Sequence, residues 1–161
     1  MIITQTTSRG PESPVQDASY MVTVPHVCPD VPALRRDPVV SSMCDLFTRP
    51  NPMRPDVVLD VRAELDLAVQ MAACHVSQFF EWLPYHDGVL ESVPTSPTER
   101  FEWLMARMLA RHQQRRIHFQ EALVARKLPL QEDLAVEVYE LSEYAARPSS
   151  EQLLRLFPGM L

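Results

Sequence analysis

Apolar positions change their rhythm near residue 60. From Asp60 onward, Leu65, Val69, Ala72, Val76, Phe79 and Leu83 recur at steps of three and four, the spacing of one helical face. Asp60 is placed to cap that helix, and Pro84 predicts its end. Ser96-Pro97-Thr98-Glu99 announces a second helix. Ser96 can accept from the Glu99 N–H, the Glu99 side chain can reach back, and Pro97 sits in the first turn, where no N–H is needed. Phe101, Leu104, Met105, Met108, Leu109, His112, Phe119 and Leu123 predict its buried face, and Pro129 its stop. Leu134, Ala135, Val138, Leu141 and Tyr144 or Ala145 predict a third helix over Gln131–Arg147. Its Glu132, Asp133, Glu137, Glu140 and Glu143 suit an antiparallel Arg-rich neighbour. Ser149-Ser150-Glu151-Gln152 repeats the capping pattern and starts a short last helix with Leu153, Leu154, Leu156 and Phe157 facing a core.

Before residue 60 the pattern is different. Nine of the fifteen prolines fall in the first 55 residues. Proline lacks the backbone N–H and disfavours helix in the residue before it, so this third reads as extended segments, turns and loops. Tyr20–Val24, Val39–Phe47 and Asp56–Asp60 are the strand candidates, with Gln16–Tyr20 alternatively ending a helix. The expected fold is mainly α with a few short strands. Residues 1–15 form a poorly ordered segment and 16–161 a single domain, loop-rich over 16–60 and helical over 61–161.

Composition narrows the function classes. The 161 residues, 46% hydrophobic and 22% charged, match a soluble globular chain. No apolar run approaches the roughly 20 residues of a bilayer helix. Three glycines, Gly10, Gly88 and Gly159, cannot build a Walker loop or a G-x-G-x-x-G turn. A net charge of -6 opposes general nucleic-acid binding, although Pro97–Leu128 holds seven Arg or Lys against three Glu. Cys28, Cys44 and Cys74 form no C-x-x-C pair and predict a reducing compartment, the cytoplasm. Met1–Pro14 shows no basic region followed by an apolar stretch, so no signal peptide is expected.

Few residues carry candidate chemistry. His75, in His75-Val76-Ser77-Gln78, is the candidate proton-transfer group, set against a structural hydrogen-bonding role. Ser77 is two residues away and diverges from it on a helix. His26, Cys28 and Asp30 alternate, so an extended chain would turn them one way as candidate metal ligands, fewer than a closed zinc site takes. His112 and His118 fall on opposite helix faces and are expected at the surface or its boundary. Arg107, Arg111 and Arg115 form an i, i+4 column that reads as a solvated face, while Trp82 and Trp103 read as core or helix-contact anchors.

Taken in order, four stretches resemble the PIG-L/LmbE family of zinc-dependent N-acetyl-sugar deacetylases. They are Gln16–Pro25 (QDASYMVTVP), Arg54–Val61 (RPDVVLDV), Ala73–Pro84 (ACHVSQFFEWLP) and the tail Ala135–Pro158 with Ser142-Glu143-Tyr144 and Arg155-Leu156-Phe157-Pro158. The resemblance spans residues 16–161 and implies the C-terminal part of a Rossmann-like α/β fold. Relatives take two zinc ligands and a water-activating aspartate from an A-H-P-D-D-E motif, and a third ligand from H-P-D-H. The first motif is absent here, and Ser8-Arg9-Gly10-Pro11-Glu12-Ser13-Pro14 stands where the second would be. Zinc lowers the pKa of its bound water to about 7, so a chain without the ligands is expected to be inactive alone and to bind no cofactor. A missing sheet would also leave an apolar face open to a homo-oligomer or protein partner, with no nucleic acid or membrane expected. Two other readings are a helical protein–protein interaction module, using the Leu65–Leu83 stripe and the arginine column, and an enzyme rebuilt around His26, Cys28 and His75.

Overall fold

The computed structural model describes residues 1–4, 14–49, 51–128 and 133–160. Much of the segment expected to be poorly ordered, Pro129, and Gln131 and Glu132 of the expected third helix therefore lie outside the described residues. The chain divides into two compact units, Met1–Leu59 with Glu137–Leu161, and Asp60–Val136.

The first unit is built on a small sheet. Strands β1 (Ile2–Thr4), β2 (Val40–Met43), β3 (Val57–Asp60) and β4 (Val136–Leu141) lie in the order β1-β2-β4-β3. β1 runs parallel to β2, with Ile3 opposite Ser41, and β2 runs antiparallel to β4, with Ser42 opposite Glu140. The architecture is thus mixed α and β, and no Rossmann-type parallel sheet is present among the described residues. Val57, Tyr139 and Phe157 form a core joined by Met43, Leu141, Leu153 and Leu156. The Tyr139 and Phe157 rings are 5.5 Å apart, within the range of favourable tilted pairs. Phe157 reaches this core from helix α6 (Ser150–Leu156), whose capping box is complete. The Ser149 hydroxyl accepts from the Gln152 N–H, and the Gln152 side chain accepts from the Ser149 N–H. Leu154, expected inside, is exposed.

Two expectations for this unit need correction. Tyr20–Val24 is not a strand: helix α1 spans Pro14–Met21 and turns follow it. Pro14 stands at the helix start, where a fixed φ favours helix, so a residue that elsewhere breaks helices begins one. The expected helix over Gln131–Arg147 is not found in its described residues, 133–147, where β4 occupies the middle. Leu134, Ala135, Val138 and Leu141 fit a 3.6-residue period, but Val136-Glu137-Val138-Tyr139 also alternates and is β-branched and aromatic. Pairing with β2 settles the ambiguity. The Val39–Phe47 and Asp56–Asp60 segments do contain strands, β2 and β3.

The second unit is helical. A 3₁₀ turn (Arg62–Glu64) leads into α2 (Leu65–Ala73). A π-helix (Ser77–Trp82), α3 (Leu83–His86), a 3₁₀ turn (Leu90–Ser92), α4 (Pro97–His118) and α5 (Gln120–Ala125) follow. Asp60 serves the start of this run, its carboxylate accepting from the Arg62 N–H at 3.1 Å. The apolar stripe holds only as far as regular winding does: Leu65 and Val69 are buried, whereas Val76 is exposed. The helix breaks at 74–76, and the π-helix that follows winds i→i+5, which turns Phe80 into the core where the uniform pattern expected Phe79. Phe79 packs only partly, and the helical path continues past Pro84 to His86.

α4 keeps its expected face. Ser96 caps it by accepting from the Glu99 N–H, Leu104 joins Val69 and Phe80 in a core, and Phe101, Met105 and Met108 pack around them. A break at Phe119 then separates α5, which buries Leu123. Deleting Leu104 down to alanine empties the centre of this cluster, so Leu104→Ala should destabilise the second unit by about 2–5 kcal/mol. Amide hydrogen exchange resolved over residues 60–136 measures it, and protection unchanged in α2 and α4 contradicts the packing described.

Candidate functional site

The side chains singled out from the sequence are scattered. His26 is exposed on a turn with φ 70°, in the left-handed region. Cys28 is exposed and lines an apolar hollow of about 440 Å³ formed by residues between Ala18 and Leu34. Asp30 is exposed beyond it. Among the described residues no three His, Cys, Asp or Glu side chains are grouped to hold a metal ion. His75 is exposed in the break between α2 and the π-helix, where its backbone carbonyl accepts from the Gln78 and Phe79 N–H groups. Ser77 opens the π-helix and is exposed.

His112 lies on the buried face of α4 on which the helical period placed it, and not at the surface or its boundary, the position expected of it as an isolated histidine. It is buried, and its Nδ1 lies 2.9 Å from the Val136 carbonyl oxygen, to which the Nδ1–H tautomer donates. His118, on the opposite face, is exposed, with its ring edge-on to Phe119. The period separated the two histidines and put His112 on the inner face, but did not show what its ring would bond to.

The arginine column is two different things. Arg100 sits over the Phe80 ring at 5.1 Å while its Nε donates to the Pro94 carbonyl at 2.7 Å. Trp103 tilts against Phe80, Arg107 lies 4.9 Å over Trp103, and Arg107 also pairs with Asp87. These arginines hold the 80–94 segment to α4, each ring contact contributing about 0.5–1 kcal/mol. Among the described residues Arg111 and Arg115 have no side-chain hydrogen bond or ion pair. Trp103 is the contact anchor expected; Trp82 is exposed, tilted beside His86.

A polar cluster that neither period nor motif revealed closes the end of β4. Arg54 donates from Nε to Asp56 at 2.7 Å, from one terminal nitrogen to Glu143 at 3.1 Å and from the other to the Leu141 carbonyl at 3.2 Å. Asp56 also accepts from the Leu141 N–H at 2.8 Å, and Glu140 accepts from the Arg54 N–H. The hydrogen bond that Arg54 donates to Asp56 raises the Arg54 pKa further above its ordinary value, so the guanidinium stays charged. With Ser142, Arg147 and Pro148 these groups line a pocket of about 300 Å³. Each guanidinium nitrogen of Arg54 already has an acceptor within it, so the pocket is a clasp before it is a binding site. Its partners lie more than 80 residues apart in the chain, which is why no local signal exposed it.

The open apolar surfaces are the other feature. On α2, Leu67 and Met71 are 59% and 63% exposed, one turn apart on the side away from buried Leu65 and Val69. No helix among the described residues is long and apolar enough to cross a membrane. No protein-family model, curated protein or solved structure matches the chain.

The two anchors of the clasp differ in burial, Asp56 being mostly shielded and Glu143 largely exposed. Asp56→Ala strands the Leu141 N–H and should cost about 1–3 kcal/mol. Glu143→Ala removes an exposed pair and should cost no more than about 1 kcal/mol. Urea titration of both variants tests the ranking; equal losses count against the clasp.

Proposed function

We propose that this chain is a non-catalytic binding module that engages another protein through the outer side of α2. The observation that carries the reading is that α2 is apolar on both sides. Leu65 and Val69 are spent on the core, yet Leu67 and Met71 face outward, and Val76, Trp82 and Tyr85 further along the chain are exposed as well. Only Asp66 and Gln70 give α2 a polar strip, and exposed apolar area of the kind Leu67 and Met71 present marks contact surfaces. Outward positions contribute little to stability, so they can be altered without unfolding the chain. A photocrosslinking side chain at position 71, compared with one at exposed Gln113 on α4, should give a covalent protein adduct in cells of origin only from position 71. No adduct at 71, or equal yields from both positions, rejects the surface.

Within the same reading we place the chain as a diverged or C-terminal relative of the PIG-L/LmbE deacetylases, silent in catalysis by itself. That kinship rests on the order of the four stretches quoted above, and the C-terminal part of a Rossmann-like fold is proposed on the same ground. The chemistry argument is independent of kinship: hydrolysis of an N-acetyl amide needs a Lewis acid to activate water, and the motifs that supply its ligands in the family are missing from this sequence. Elemental analysis of purified protein should find no stoichiometric zinc. One tightly held zinc per chain, together with release of acetate from an N-acetylglucosamine conjugate, sinks this assignment.

A further inference from the structure

We infer that the pocket at the end of β4 is a binding site for a small zwitterion, an aliphatic α-amino acid. Two arginines, Arg54 and Arg147, and two carboxylates, Asp56 and Glu143, line a space of about 300 Å³, with apolar wall from Leu141 and Pro148. All of them belong to the sheet-based unit. That volume stands at the small end of ligand sites, where a molecule of few heavy atoms fits. The loop that carries the outer groups is tied down at both ends. The Ser142 N–H donates to the Val40 carbonyl at 2.9 Å, and the Ala146 N–H to the Pro38 carbonyl at 3.1 Å. A loop already held in place loses little freedom when a ligand arrives.

The charge of the lining selects the ligand. Arg54 is committed through all three guanidinium nitrogens, to Asp56, Glu143 and the Leu141 carbonyl. Among the described residues Arg147 makes no hydrogen bond or ion pair, and Glu143 uses only Oε1, on Arg54. The Ser142 hydroxyl oxygen accepts from the Tyr144 N–H at 3.3 Å, which leaves its proton to donate. The pocket therefore offers donors at Arg147 and Ser142 and an acceptor at the second oxygen of Glu143. A simple anion meets two carboxylates there, and a simple cation meets two guanidinium groups. A molecule with one charge of each sign answers both open groups and leaves the balance at zero. An α-amino acid sets its carboxylate on Arg147 and Ser142, its ammonium on Glu143 and its side chain against Leu141 and Pro148.

Isotope-labelled full-length protein is titrated with L-valine while the amide signals of Ser142, Glu143 and Arg147 are followed by NMR. Valine should shift them saturably, with half-saturation at about 1 mM. Isovalerate, which lacks the ammonium, and isobutylamine, which lacks the carboxylate, should each bind about tenfold more weakly. Arg147→Gln should weaken valine about tenfold and leave isobutylamine no weaker; Glu143→Gln should weaken valine about tenfold and leave isovalerate no weaker. The glutamine at 143 keeps an oxygen for Arg54, so the clasp stays closed. Arg155→Gln, at an exposed arginine of α6, should change nothing. The absence of a saturable shift up to about 10 mM valine overturns the site. Isovalerate binding as tightly as valine overturns the zwitterion in favour of a plain anion. Valine affinity unchanged in Arg147→Gln overturns the placing of the carboxylate, and with it the proposal.

Discussion

Strand β4 is the member on which the sheet is strung. It stands between β2 and β3, so its backbone is paired on both sides, and Val136, Val138 and Tyr139 bury their side chains along it. A central strand satisfies its N–H and C=O groups only if both neighbours are present, which makes the ladder cooperative. Contacts from elsewhere converge on its ends. His112 donates to the Val136 carbonyl at the start, and the Arg54–Asp56 pair receives the Leu141 N–H and carbonyl at the finish. Leaving the Leu141 amide or the Val136 carbonyl unpaired in a buried setting is costly, so these polar contacts define where the strand begins and ends.

The helical unit is organised by a different rule, the wish of aromatic and guanidinium groups to stack. Phe80 reaches the core only because the π-helix shifts its face, and Arg100, Trp103 and Arg107 then close over that region in sequence along α4. Part of the positive charge that composition concentrates in residues 97–128, that of Arg100 and Arg107, is therefore used internally, while Arg111 stands exposed on α4 and Arg115 and Arg116 are half-buried there.

Both units also carry apolar surface beyond what their cores consume. In the helical unit it lies on α2, and in the sheet-based unit it lies between Ala18 and Leu34. The first is one side of a helix and the second a hollow lined by a single stretch of chain.

Strong local signals were legible in the residues alone. The caps at Ser96 and Ser149, the buried face of α4, the strands within Val39–Phe47 and Asp56–Asp60, and the apolar start of α2 all follow from period and end chemistry, because each is settled within a turn or two of chain. The candidate site was less legible. Cys28 was singled out as a metal ligand, but its apolar surroundings emerge only when residues 18–34 fold back on themselves. Whether Val136–Leu141 pairs or coils, that the His112 ring bonds to the Val136 carbonyl, and that Arg54 meets Glu143 were all fixed by contacts between distant parts of the chain. Local pattern ranks the conformations a segment can adopt; pairing and burial, which need the rest of the polypeptide, choose among them.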